Sequence, residues 1–279
     1  MGKAQDSGPD SRADNPQDVE VAAEDEPRAP RPGEGVVGTA RLIARDDLVA
    51  RLDRAAAGKV TIISAPAGSG KTSLLRAWAG RPGLAHRVAF VQVRRDEQDA
   101  QVFWLALLTA VCQAPGTTGD TEPPAPASDV RTFADRVSSE LARERDRVVI
   151  VIDDLHELNS PESLVQLSRL LADLPPNVHV IVATRHDLRL RLHQLRLAGE
   201  LAEIRGADLR FTERETRELL AASGITLSPA EATQLHQRAE GWAAGLRLAA
   251  LSLAGHPDPE RFIAEFSGSE RTVAEYLLA

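Results

Sequence analysis

One cysteine, Cys112, stands in a chain of 279 residues, so no intrachain disulfide can form and a reducing compartment is expected. Its apolar helical neighbours read as the surroundings of a buried core thiol rather than a catalytic one. No apolar run approaches the ~18 residues that a membrane span requires; the longest candidate, Trp104 to Cys112, is broken by Thr109. The N-terminus is polar and acidic, unlike a secretory signal, so no membrane is expected as a partner and the expected location is the cytoplasm. A net positive charge is also lacking. The net charge is −8, and residues 1–36 hold nine acids against four bases, which leaves the remainder close to neutral. That balance lacks the basic footprint of a DNA-binding domain. The cluster Arg185, Arg189, Arg191 and Arg196 reads as a solvated loop and helix face. No repeat of 20–50 residues is present, and no Asn-Lys-x-Asp motif that would read guanine, which favours ATP over GTP.

What the chain does have is Ile62-Ile63-Ser64-Ala65-Pro66-Ala67-Gly68-Ser69-Gly70-Lys71-Thr72-Ser73. The apolar run Val60 to Ile63 supplies a buried strand, and the small residues Ala65 to Gly70 let backbone N–H groups turn inward around a polyphosphate. Lys71 adds a point charge for the β- and γ-phosphates, and the Thr72 hydroxyl is placed to ligate Mg²⁺. The helix that follows directs its positive end at the same anion. Ala65 stands where the usual pattern begins with Gly. The Gly-x-Gly-Lys-Thr core that touches phosphate is intact, so Ala67, Gly68, Ser69, Gly70, Lys71, Thr72 and Ser73 are the expected nucleotide-binding residues.

Residues 1–37 are rich in Asp, Glu, Pro, Gly and Ala and too poor in large apolar side chains to offset ordering entropy, and they read as a disordered acidic tail. Leu42, Ile43, Leu48, Val49 and Leu52 recur at helical spacing and lead into the strand at 60–63. Helices are expected at 72–79, 100–112 and 130–145, with a loop at 114–128 between the last two. Strands are expected at 88–93, 148–152, 179–183 and around 201–204. Ser160-Pro161 starts a further helix. Strands alternating with helices imply an α/β fold with a parallel sheet of about five strands covered on both faces. After Gly206 the chain becomes helical, with capping boxes at Thr212–Glu215, Ser228–Glu231 and Ser267–Glu270 dividing it into helices near 213–223, 229–239, 242–254 and from 269. The expected domains are 38–205 for ATP binding, 206–266 for a helical lid, and 267–279 for the start of a further, truncated domain.

Asp153 and Asp154 follow five apolar β-formers, at the carboxyl mouth of a central strand where ligands collect in open α/β sheets. Asp153 is expected to hold Mg²⁺, mostly through water, and Asp154 to orient or polarise an attacking water. Arg185, directly after the fourth strand, is placed to reach the γ-phosphate as a cis arginine finger or sensor. Two readings stand open for His156: a hydrogen bond to the acidic loop, or a residue that fixes a turn. Trp104, Phe103 and Trp242 read as core residues, Trp242 lying close to the expected lid.

A whole strand and its helices separate the phosphate-loop strand from the acidic strand in sequence. This resembles the ATPase (ASCE, AAA-like) side of the phosphate-loop NTPases more than simple kinases or GTPases. Ser64 to Thr72, Asp153-Asp154-Leu155-His156, Thr184-Arg185, Ala207-Asp208-Leu209-Arg210-Phe211-Thr212 and Gly241-Trp242-Ala243-Ala244-Gly245-Leu246 together resemble the nucleotide-binding region of MalT-like, LuxR-type regulators. These belong to the signal-transduction ATPases with numerous domains (STAND). The resemblance covers about residues 38–279 and implies a slowly hydrolysing ATP switch with ATP or ADP and Mg²⁺ as ligands. It also implies ATP-dependent contact with other domains or copies. In that plan residues 267–279 begin a winged helix, and a helical-repeat sensor and a DNA-reading module follow it, so no DNA contact is expected here. Related proteins often place proline where Ala243 stands, which puts that contact with the nucleotide in question. A stand-alone catalytic ATPase and a nucleotide-binding remnant without output are the competing expectations.

Overall fold

The computed structural model describes residues 43–81, 87–95, 99–114, 129–187, 190 and 192–266. The acidic tail at 1–37, most of the Pro-rich loop at 114–128, Arg189, Arg191, the Ser267 capping box and the helix expected from 269 lie outside the described residues. Five strands are formed: β1 (Val60–Ser64), β2 (Arg87–Gln92), β3 (Val148–Asp153), β4 (Val178–Thr184) and β5 (Leu201–Arg205). Between and around them run α1 (Asp46–Ala55), α2 (Lys71–Ala79), α3 (Ala100–Gln113), α4 (Val130–Arg143), α5 (Pro161–Ala172) and the short α6 (His193–Leu197). Four helices follow, α7 (Glu213–Ala222), α8 (Pro229–Ala239), α9 (Ala243–Leu253) and α10 (Pro259–Glu265).

The sheet is parallel throughout, in the order β2-β3-β4-β1-β5. Every residue of β3 and β4 is buried, which is why both are mostly apolar, Val148–Ile152 in β3 and Val180–Ala183 in β4. Alternate side chains go to opposite faces. Ile150, Ile152, Val180 and Val182 pack with residues of α3, α4 and α5, whereas Val149, Val151, Ile181 and Ala183 pack with Leu52 of α1 and Leu75 and Trp78 of α2. His179, a polar residue inside β4, is held by the Thr61 hydroxyl at 3.1 Å and the Gly58 carbonyl at 2.9 Å. Because β4 lies between β1 and β3, the loop after β1 and the acids after β3 open at one edge of the sheet with a single strand between them.

The helices α7–α10 bury a core of their own, built on Leu219, Leu220, Leu235, Leu246, Leu253, Ile263 and Phe266. Two of the expected capping boxes close reciprocally. Thr212 and Glu215 start α7, and Ser228 and Glu231 start α8 with Pro229 in the first turn. The start of α10 carries the same kind of signal, Asp258 accepting from the Arg261 N–H at 3.0 Å with Pro259 next to it. The apolar pattern before 60 is less helical than its spacing suggests. Helix α1 begins at Asp46, where Asp46 and Asp47 complement its dipole, and Ile43 packs instead against the core of α7–α10.

Candidate nucleotide site

The loop that leaves β1 is shaped by two left-handed glycines, Gly68 at φ 69° and Gly70 at φ 84°, the second serving as the N-cap of α2. The Ser69 hydroxyl donates to the Pro66 carbonyl at 2.8 Å and ties the loop to itself. Among the described residues, no backbone N–H from 67 to 73 donates to a protein group, so the loop and the first turn of α2 present a row of free donors. Lys71 is the first residue of α2 and is 5% exposed. Its ammonium donates to the carbonyls of Ala65 at 2.7 Å and Pro66 at 2.9 Å. Burial pulls its pKa below the usual lysine value, against the attraction of Asp154 and with the repulsion of Arg185. Thr72 is half-buried and Ser73 exposed.

Across β4, the Asp153 carboxylate is fully buried. One oxygen accepts the Asp154 N–H at 3.0 Å; the other, Oδ2, has no hydrogen-bond partner. Burial pushes its pKa up, the Thr72 hydroxyl beside it opposes that, and the neighbouring Asp154 carboxylate adds to it. A buried carboxylate with an orphaned oxygen beside a threonine hydroxyl suits a hard cation, which takes oxygen ligands. Asp154 adopts a left-handed backbone at φ 56°, unusual for a residue with a Cβ and a form of strain that gathers at functional sites. Its Oδ2 accepts from Gln92 Nε2 at 3.1 Å, and Gln92 Oε1 accepts in turn from Arg76 of α2 at 3.0 Å. The end of β2 therefore links the acid to the helix behind the phosphate loop. Arg185 is exposed and follows β4, where its charge acts on both Lys71 and His156. Arg196, one of the four clustered arginines, pairs with Glu203 at 2.9 Å.

The start of α9 rests on the phosphate loop. Trp242 donates its indole N–H to the Ala67 carbonyl at 3.1 Å, and the Ala244 N–H donates to the Gly68 carbonyl at 3.0 Å. The approach is close enough that a Cβ on Gly68 would stand 2.5 Å from the Ala244 Cβ. Just before it, Gly241 at φ 68° lets the chain pass Phe211: the Phe211 N–H donates to the Gly241 carbonyl at 2.7 Å, and a Cβ there would lie 2.6 Å from the Phe211 oxygen. Beside Gly70 and Ser73 opens a cavity of about 620 Å³, lined by Ile43, Val49, Leu74, Phe211 and Leu219, with Ala243 and Arg247 from α9. Arg45 closes its rim. It donates to Glu215 at 3.2 Å and to the carbonyls of Leu209 and Arg210 at 2.7 and 2.8 Å, and it stacks over the Phe211 ring at 4.6 Å.

Residues 41–183 match the AAA ATPase domain, a stretch that runs from before α1 to the end of β4. The chain belongs to the AAA ATPase domain family. Membership carries nucleotide binding, with Mg²⁺ as the usual companion ion. This AAA ATPase chain is similar to the serine/threonine-protein kinase PknK of Mycobacterium tuberculosis, 31% identical over 251 residues, which are 86% of this chain and 22% of the relative. It spans well under half of that protein. In fold it is similar to the Walker-type ATPase of Pyrococcus abyssi, with a TM-score of 0.56, 16% identity, and 85% of this chain and 73% of that one covered. It is also similar to a STAND protein with a tetratricopeptide repeat sensor from Pyrococcus horikoshii, with a TM-score of 0.52, 16% identity, and 85% and 32% covered. Among the described residues no helix is long and apolar enough to cross a membrane.

All the residues expected from the phosphate loop and the acidic strand meet at this one edge. Those that sequence reasoning passed over are Gln92, Arg45, Phe211 and Arg247. Gln92 is in register with Asp153 on the neighbouring strand, a pairing that only the sheet order reveals. Phe211 lies in the segment Ala207 to Thr212 that carried part of the resemblance. Arg45 and Arg247 sit in ordinary-looking helical stretches, and nothing in the sequence singles them out.

Proposed function

We propose that this AAA ATPase chain is the ATP-driven switch of a larger signal-transducing regulator of the MalT-like, LuxR-type kind, its output being a conformation rather than a product. The observation that carries the reading is the seating of α9 on the phosphate loop through Trp242 and Ala244, which couples whatever the loop binds to the position of the α7–α10 helices. In this reading those helices are a lid of residues 206–266 over an ATP-binding domain of residues 38–205. The STAND likeness in fold and the small share of a long kinase relative that the chain spans are in keeping with a module of a multidomain protein.

The free N–H groups of Ala67 to Ser73 would hold the polyphosphate, and the cavity lined by Ile43, Phe211 and Ala243 would take the base and ribose. Lys71 trades its two carbonyl partners for phosphate oxygens. Thr72 and the orphaned oxygen of Asp153 would hold Mg²⁺, which supplies neutralisation of charge on the phosphates. Asp154 orients the attacking water, and Arg185 reaches the γ-phosphate, so that ATP and ADP differ in what they offer the end of β4. Moving a population from 1:99 to 99:1 takes about 5.5 kcal/mol of differential affinity. Two charge-assisted contacts of roughly 1.5–3 kcal/mol each, from Lys71 and Arg185, are of that size.

The test is calorimetry with ATP and ADP followed by hydrolysis over hours. The switch reading expects tight binding of both nucleotides, affinities that differ between them, and slow turnover that Asp154→Asn abolishes. Turnover near ~10 s⁻¹ without a partner is the median for an ordinary enzyme and would favour a stand-alone ATPase instead.

A further inference from the structure

Next to Asp154 sits a buried polar group that the reading above leaves unused. His156 occupies the short 3-10 turn Leu155–Glu157, and its side chain is 6% exposed. Neither ring nitrogen has a hydrogen-bond partner. Nδ1 stands 4.0 Å from Asp154 Oδ1, and Nε2 stands 3.4 Å from Glu157 Oε1. The His186 ring meets its edge, with centroids 5.9 Å apart, at the end of β4 that also carries Arg185. Burial holds the imidazole pKa below its usual value and Arg185 acts the same way, against the pull of Asp154 and Glu157, so the ring is neutral with one N–H to give. A phenylalanine or leucine would fill such a space without leaving buried nitrogens unpaired.

The geometry of the acid completes the argument. Asp154 Oδ2 is already held on one side by Gln92, while Oδ1 faces His156 across a gap about 1 Å wider than a normal hydrogen bond. A carboxylate pinned on one oxygen still rotates; one pinned on both has a fixed plane. We propose that His156 is the second anchor, a positioning residue whose Nδ1–H closes onto Asp154 Oδ1 when ATP is bound. It thereby fixes the carboxylate that orients the water, in contact with the β4 end that meets the γ-phosphate. This rests on the reading of Asp154 as the water-orienting residue.

Hydrolysis by the full chain, wild type against His156→Asn, His156→Gln and His156→Leu, tests it, with ATP and ADP affinities and melting temperature measured alongside. Asparagine puts an amide near the Nδ1 position, glutamine near Nε2, and leucine neither. Nucleotide affinities are expected to stay within about 2-fold in all three variants, while turnover falls about 10- to 100-fold in the Gln and Leu forms and recovers to within about 3-fold in the Asn form. Equal turnover in the Asn and Gln forms, or turnover unchanged in all three beside an active wild type, overturns the role of His156 alone. A wild type that binds MgATP with no turnover overturns the reading of Asp154, and this role with it. A variant that fails to fold is recognised by its melting temperature, and the Asn–Gln comparison then decides.

Discussion

At the scale of single residues the site holds charges away from water. Lys71 is a buried ammonium satisfied only by two carbonyls, and an incoming phosphate gives it a full counter-charge. Lys71→Ala is expected to weaken ATP binding at least roughly 10- to 100-fold in calorimetry, the worth of one charge-assisted contact; unchanged affinity would contradict the assignment. Asp153 carries a cost in stability. Its folded pKa is raised, so keeping it ionised costs the folded state free energy, and the penalty grows as pH climbs from the unfolded value through the folded one. Asp153→Asn is therefore expected to raise the melting temperature of the nucleotide-free protein at pH 7, by about 2–4 °C if the relief is near 1 kcal/mol, and to remove the Mg²⁺ dependence of ATP binding. A lower melting temperature would count against it.

At the scale of elements, two polar contacts tie the α/β part to the helices that follow it most directly. One is the rim residue Arg45, whose partner Glu215 also caps α7. Burial raises the Glu215 pKa, but the Thr212 N–H and Arg45 outweigh it and hold the carboxyl below its usual range. Its stabilising contribution is thus full above the ordinary value of 4.5 and is lost as pH falls through the folded one. Arg45→Ala is expected to cost about 3–5 kcal/mol at pH 7, seen as faster hydrogen exchange over residues 209–222, and the difference from wild type should shrink toward pH 3. The other contact is α9 on Gly68. Gly68→Ala meets both a left-handed backbone and the Ala244 methyl, so it should loosen α9 and weaken nucleotide binding together, whereas Ala243→Pro, at the first position of α9, should leave the melting temperature within about 4 °C of wild type. The sheet and the capped helices were legible because buried parallel strands and Ser/Thr–Glu boxes each leave a local signature, as at Val148–Asp153 and Thr212–Glu215. The cavity was not. Its walls come from residues 43–49, 70–81, 211–219 and 243–247, and no local pattern tells that Ile43 leaves the helix it seems to begin and crosses to the other core.

At the scale of the whole molecule, the phosphate loop, the acids at the end of β3 and the first turn of α9 form one connected set of contacts around the candidate nucleotide site. The loop carbonyls of Ala67 and Gly68 accept from α9 on one side while the N–H groups of the same loop await an anion on the other. In the proposed reading, a bound nucleotide and the helices after residue 206 act on the same six-residue turn, which is what a switch requires: one element whose position both the ligand and the rest of the protein bias. The most direct test is hydrogen exchange of the segment 241–248 in the full chain with Mg²⁺ and either ADP or a non-hydrolysable ATP analogue. The account predicts that the two nucleotides leave this segment with different protection, at least about 5-fold in rate, the lower end of ordinary allosteric coupling. Identical protection with both, at saturating nucleotide, would contradict it.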